Sequence, residues 1–204
     1  MLISEVPLTS YFHSLHALQY PVLVAGLFAL IALVQSQMNT ALAFDQRMKQ
    51  LKTSQGKALA IWAGINLITG SVLIFMTEQW FYYFHAMNAS WGLVNAGVAA
   101  YVYFHHNRVF NQPQTLLEQV SRQRHAENML FLNIGLDVAF VVSGIALYQR
   151  GLATEDTYSE LWQGFGISVI MQGVFLLVQD LTFLYLHAKN RLRIYPIWRK
   201  SLNC

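Results

Sequence analysis

Apolar residues in this chain gather into long runs, and polar stretches interrupt them at similar intervals. A helix that crosses about 30 Å of hydrocarbon needs about 20 mostly apolar residues. Five stretches reach that length: 21–44, 58–76, 84–106, 126–148 and 162–187. The first is strongest over 22–34, and Gln35, Gln37 and Asn39 dilute its second half. Pro21 suits a first helical turn, where its missing N–H has no partner to lose. The pattern predicts an all-α fold, a polytopic transmembrane helical bundle of about five spans. It divides the chain into an interfacial segment over 1–20, a transmembrane helical domain over 21–188 and a basic tail over 189–204. Within the first part, Leu8, Phe12, Leu15 and Leu18 recur at helical intervals, as in a helix lying in a membrane interface.

Composition agrees with that reading. Charged residues make up 11% and hydrophobic residues 55% of the 204 positions. A soluble domain usually carries about 25% charged residues, so this chain is short of charge for a water-facing surface. The net charge of +3 comes from basic residues clustered between apolar runs, which points to membrane topology and away from nucleic acid. Arg47, Lys49, Lys52 and Lys57 follow the first run, and only Glu78 follows the second. Arg108, Arg122 and Arg124 follow the third, whereas Arg150 meets Glu155, Asp156 and Glu160 after the fourth. Lys189, Arg191, Arg193, Arg199 and Lys200 follow the fifth. Basic and non-basic connections alternate, so the positive-inside rule puts the N-terminus outside and the C-terminus in the cytoplasm. Trp80, Phe81, Tyr82 and Tyr83 form an aromatic belt at the outer end of the third run. Thr115 and Glu118 have the spacing of a capping box and predict the start of a short cytoplasmic helix. The lone Cys204 allows neither an internal disulfide nor a cysteine-rich metal site. Residues 1–10 lack Lys and Arg and contain Glu5, unlike a standard cleavable signal.

Polar residues inside apolar runs carry the candidate chemistry, because they are expensive in hydrocarbon. Asp137 falls near the middle of the fourth run and Asp180 in the inner half of the fifth. Asn66, Asn95, Asn133 and Gln172 also lie well within runs. At helical periodicity Asn133, Asp137 and Gly144 share one face; so do Asn88, Gly92, Asn95, Ala99 and His106; so do Gly166, Gly173, Asp180 and His187. Faces that join small and polar residues are expected to meet one another, since small residues let helices approach closely. Counting rise along each run predicts an inner layer of Asn66, Asn133 and Asp180 and a midplane layer of Asn95 and Asp137. No Lys or Arg is expected at those depths. The aspartates would then be protonated, bound to a cation or water, or held by the amides. The amides Asn66, Asn95 and Gln172 read first as interhelical hydrogen-bonding groups. Asp137 reads as functional, and Asp180 divides between function and contact with inner-side water or His105.

The histidines are His13, His16, His85, His105, His106, His125 and His187. His105 and His187 offer two helices from which a haem or metal could be ligated, though histidine also sits comfortably at interfaces. No phosphate loop, H-E-x-x-H or G-x-S-x-G sequence is present, which leans away from an enzyme. Thr69–Gly70 and Ser143–Gly144 precede apolar stretches in two outward-leading runs, the mark of a weak parallel repeat.

The stretches Asn133-Ile134-Gly135-Leu136-Asp137-Val138 with Ser143-Gly144, Gln172-Gly173-Val174-Phe175-Leu176-Leu177 with Asp180, and Trp91-Gly92-Leu93-Val94-Asn95 resemble an uncharacterised family of bacterial multi-pass inner-membrane proteins. That resemblance implies a bacterial inner (cytoplasmic) membrane and transfers no catalytic role. Three functions stay open. The first is an intramembrane site, built on Asp137, Asp180, Asn133, Asn95 and Asn66, that binds or transports a proton, cation or small polar solute. The second is a structural or accessory subunit of a larger membrane complex or homo-oligomer. The third is a haem- or metal-binding redox protein using His105 and His187. The first needs no cofactor, and its expected partner is the lipid bilayer.

Overall fold

The structure is a computed structural model that describes residues 44–109, 115–154 and 157–201, with side chains except at 45, 105–109, 116 and 193–201. Among the described residues all regular structure is helical. Helix α1 covers Phe44–Leu73, α2 Gln79–Val109, α3 Leu116–Ala153 and α4 Ser159–Ser201. They correspond to the second to fifth predicted runs. The first run, 21–44, lies outside the described residues except at Phe44, where α1 begins.

Each helix outruns its apolar stretch. The cytoplasmic loop expected over Arg47–Lys57 is instead the opening of α1. Its Gln, Lys and Met residues are good helix formers, and Met48, Leu51, Ser54 and Ala58 give it a continuous buried face. The capping box also starts a longer element than expected. Thr115 Oγ1 accepts from the Glu118 N–H at 3.4 Å, and the Glu118 carboxylate accepts from the Thr115 N–H at 2.9 Å. The helix it opens is all of α3, 38 residues, not a separate short helix. Helix α4 passes His187 and continues to Ser201.

Among the described residues, three helices are long and apolar enough to cross a membrane, over Gln46–Leu73, Leu117–Ala153 and Ser159–Leu192. Helix α2 is not among them. Burial is inverted relative to a water-soluble bundle. Asn66, Asn88, Asn95, Gln172 and both aspartates are buried, while Leu93, Val94, Phe131, Leu132, Val142 and Tyr185 are exposed.

Helix α4 is central. It packs along α3 and also contacts α1 and α2, which pack against each other as a hairpin. The α3–α4 seam repeats every seven residues on both helices. Gln123, Asp137, Gly144 and Gly151 on α3 face His187, Gly173, Gly166 and Ser159 on α4, in antiparallel register. A sustained seven-residue repeat is the spacing of a left-handed supercoiled pair. Close approach also joins α1 to α2, where a Cβ on Gly92 would lie 2.6 Å from the Leu67 backbone nitrogen. In the hairpins α1–α2 and α3–α4, Gly70 and Gly144 each press against the returning helix, which gives the two hairpins a common closing device.

Candidate functional site

The heptad faces of α3 and α4 bring the polar residues to a cavity of about 310 Å³ backed by α4 and bordered by α1, α2 and α3. Asn95, Asn133, Asp137 and Asp180 all line it. Asp137 is 3%, Asp180 4% and Asn95 4% exposed, so none of them is a surface group. The Asp180 carboxylate accepts from Gln55 Nε2 at 3.4 Å and from the Asn133 amide. Asp137 Oδ2, Asn95 Nδ2 and Gln179 Oε1 are buried without a hydrogen-bonding partner, and all three side chains line the cavity. Eight buried side-chain atoms among the described residues have no such partner, and three of them converge on this cavity, which has room for water.

Lys52, expected in a loop, lines the same cavity, although among the described residues it forms no ion pair with either aspartate. The reason is the early start of α1. Lys52, Gln55 and Leu59 extend the helical stripe of Asn66 toward the N-terminal end of α1, and a residue assigned to a loop becomes part of the wall. Continuing that stripe backwards through the sequence would have found Lys52 and Gln55. Gln179 carries no such signal beyond its place beside Asp180.

Asn66 does not join the layer of Asp180. Gln55 occupies that level on α1, and Asn66 lies eleven residues further on, about 16 Å along the axis. Asn66 belongs instead to a closed hydrogen-bond network centred on Gln172. Gln172 Oε1 accepts from Trp62 Nε1 at 2.7 Å, and its Nε2 donates to Asn66 Oδ1 at 2.8 Å and Asn88 Oδ1 at 3.2 Å. Ser168 Oγ donates to Asn88 Oδ1 at 2.6 Å, and Asn66 Nδ2 donates to the Trp62 carbonyl at 2.8 Å. Trp62 also stacks on Phe175 at 3.9 Å between ring centroids. This network ties α1 and α2 to α4, and its amides are satisfied by one another.

At the other end of the seam His187 is fully buried. Gln123 Nε2 donates to the His187 carbonyl at 2.7 Å and lies 3.2 Å from His187 Nδ1. It also donates to Glu127 Oε1 at 3.0 Å, and Glu127 pairs with Arg191 at 3.3 Å. Asn190 Nδ2 donates to the Phe44 carbonyl at 3.4 Å and so joins α4 to the start of α1. The side chains of His105 and His106 lie outside the described residues. No three His, Cys, Asp or Glu side chains among the described residues converge as a metal would need.

The model of one protein family, described as a family of unknown function (DUF6992), matches residues 58–181. The matched stretch contains Asn66, Asn95, Asn133, Asp137 and Asp180; Lys52 and Gln55 precede it. No curated protein and no solved structure matches the chain.

Proposed function

The chain belongs to this family of unknown function (DUF6992), and we propose that it binds a small cation, the proton included, inside a membrane between Asp137 and Asp180. One observation carries the reading: Asp137 Oδ2, Asn95 Nδ2 and Gln179 Oε1 are buried without partners around a single cavity that also holds the Asp180 carboxyl. Carboxylate and amide oxygens are the donor set of hard cations. With both aspartates and Lys52 ionised, the lining carries one unit of net negative charge, which one proton or one monovalent cation would neutralise. A volume of about 310 Å³ exceeds that of a bare ion. At about 30 Å³ per water it accommodates an ion with part of its hydration shell.

The membrane setting is part of the proposal. Helices α1, α3 and α4 are long and apolar enough to cross, and α2 lies between them in sequence and carries an aromatic belt at Trp80–Tyr83. With the run at 21–44 the count is five, N-terminus outside and C-terminus inside by the loop charges, in a bacterial inner membrane.

The test is a thermal-unfolding series on the purified full chain in detergent, titrated with Na⁺, K⁺ and pH. Wild type should gain stability with one of these cations or on protonation. Asp137→Asn and Asp180→Asn should each lose that gain while keeping the helical fold. If both variants respond as wild type does, the reading fails.

A further inference from the structure

A second cavity, of about 470 Å³, lies between α1 and α2 and shares Lys52, Gly56 and Val102 with the lining of the carboxyl cavity. Its floor is small: Ala60 and Gly64 on α1, Ala96 and Ala100 on α2. A Cβ added at Gly64 would meet nothing within 4 Å, so the groove is open there. Leu67 lies at one end of the lining and Lys52 and Lys57 at the other, the end that the proposed topology puts on the cytoplasmic side. From Lys57 to Leu67 is about 15 Å along the helix, half of a hydrocarbon core about 30 Å thick and so the depth of one leaflet.

Charge sets the occupant. Among the described residues neither Lys52 nor Lys57 is in an ion pair. Lys57 is exposed and Lys52 is part-buried, so the mouth carries two positive charges. A cationic mouth over an apolar, leaflet-deep groove matches a phosphate ester bearing a long acyl chain. Basic pockets between membrane helices on the cytoplasmic side take anionic headgroups for this reason. We propose that the groove between α1 and α2 binds an anionic phospholipid of the inner leaflet, its phosphate paired with Lys52 and Lys57 and one acyl chain lying over Ala60, Gly64, Ala96 and Ala100. The site is independent of the cation reading, although Lys52 borders both cavities.

The experiment uses the purified full chain in detergent with added phosphatidylglycerol or phosphatidylcholine, read by thermal unfolding and native mass spectrometry. Phosphatidylglycerol should raise the melting temperature and stay bound, and phosphatidylcholine should do neither. Lys52→Gln and Lys57→Gln should each weaken the apparent affinity about fivefold. Gly64→Leu, whose side chain enters open space, should keep the melting temperature of the lipid-free protein and lose the lipid response. Asp137→Asn should keep the lipid response, which separates this site from the cation site. Equal stabilisation by the two lipids, or a response that survives the lysine double variant or Gly64→Leu, overturns the proposal. So does a photo-crosslinker at position 64 that captures residues 21–44 in place of lipid.

Discussion

Gly144 and Gly166 meet backbone to backbone across the α3–α4 seam: a Cβ on Gly144 would lie 2.8 Å, and one on Gly166 2.7 Å, from the other's carbonyl oxygen. Real side chains essentially never approach that closely, so neither site accepts even a methyl group without moving a helix. In a bilayer such approach matters more than in water, because lipid tails are as apolar as leucine and packing must supply the association.

Gly166→Ala is therefore expected to destabilise the protein by about 1–3 kcal/mol, the usual range for overpacking. Gly97→Ala is the control. A Cβ there meets nothing within 4 Å, and alanine in a helix is favoured over glycine by about 0.5–1 kcal/mol. Thermal unfolding of both variants in detergent should move in opposite directions. Equal effects would mean that the seam is not the tight contact described.

The network around Gln172 makes a different prediction. Gln172→Leu keeps the bulk of the side chain but leaves Trp62 Nε1 and Asn66 Oδ1 without their partner, while Asn88 Oδ1 keeps Ser168 Oγ. Unsatisfied buried polar groups cost about 1–3 kcal/mol each, while interhelical bonds in membranes average about 0.6 kcal/mol. The expected loss is about 1–2 kcal/mol, between those scales. The same variant should leave the cation response unchanged, because Gln172 does not line the carboxyl cavity.

Much of this arrangement is legible in the sequence, and the misreadings share a cause. The seven-residue spacing of Gly166, Gly173, Asp180 and His187 identified the face of α4 that is buried. The stripe Asn88, Gly92, Asn95 and Ala99 did the same for α2. Asn133 and Asp180, set at matching depths, are hydrogen-bonded. Periodicity reports a face directly, so these readings needed no knowledge of neighbours. Depth is different, because it was counted from the ends of apolar runs. Helix α1 begins at Phe44, fourteen residues before Ala58, and charged residues wind the helix without adding to its apolar run. Hence Lys52 and Gln55 were placed in a loop and Asn66 too near the level of Asp180. The hydrogen bonds of Gln172 depend on which helices are neighbours, and nothing in one sequence ranks those pairings.

The capping box gives a pH dependence. Hydrogen bonds from the Thr115 backbone and then its side chain hold the Glu118 carboxyl below its ordinary value of 4.5. Glu118 lies at the exposed, charged end of α3, ahead of the apolar stretch that begins near Ala126. A carboxyl with a depressed folded pKa contributes stability that is fully present above its unfolded value and is lost as pH falls through the folded one. The first turn of α3 should therefore fray as pH drops below about 4.5. Amide hydrogen exchange at Glu118 and Gln119 should accelerate beyond the intrinsic pH trend there. Glu118→Gln should show that extra exchange at neutral pH and no further acid effect.

Lys52 offers a signed test of the carboxyl cavity. Replacing it with Gln changes the formal charge of the lining from one negative unit to two. A like charge lining the same cavity opposes a bound cation, by about 1–3 kcal/mol at an effective dielectric of about 20. Lys52→Gln should therefore tighten cation binding, by about tenfold. Calorimetric titration checks this, and weaker binding would mean that Lys52 holds the ligand and does not compete with it.

The regular spacing of the α3–α4 seam has a further consequence for how the chain finds its register. Two helices that repeat every seven residues resemble rulers with identical marks: sliding one against the other by about 10 Å brings glycine over glycine again. Interior packing alone would leave such settings nearly degenerate. Hydrogen bonds break the tie, one between Asn133 and Asp180 within the seam and two more at its ends. Ser159 Oγ donates to the Gly151 carbonyl at 2.6 Å beside the α3–α4 turn, and Gln123 grips the His187 carbonyl at 2.7 Å at the far end. A shift of one repeat forfeits these bonds and strands their buried acceptors. The glycines let the helices come together, and the hydrogen bonds within the seam and at its ends decide where they stop.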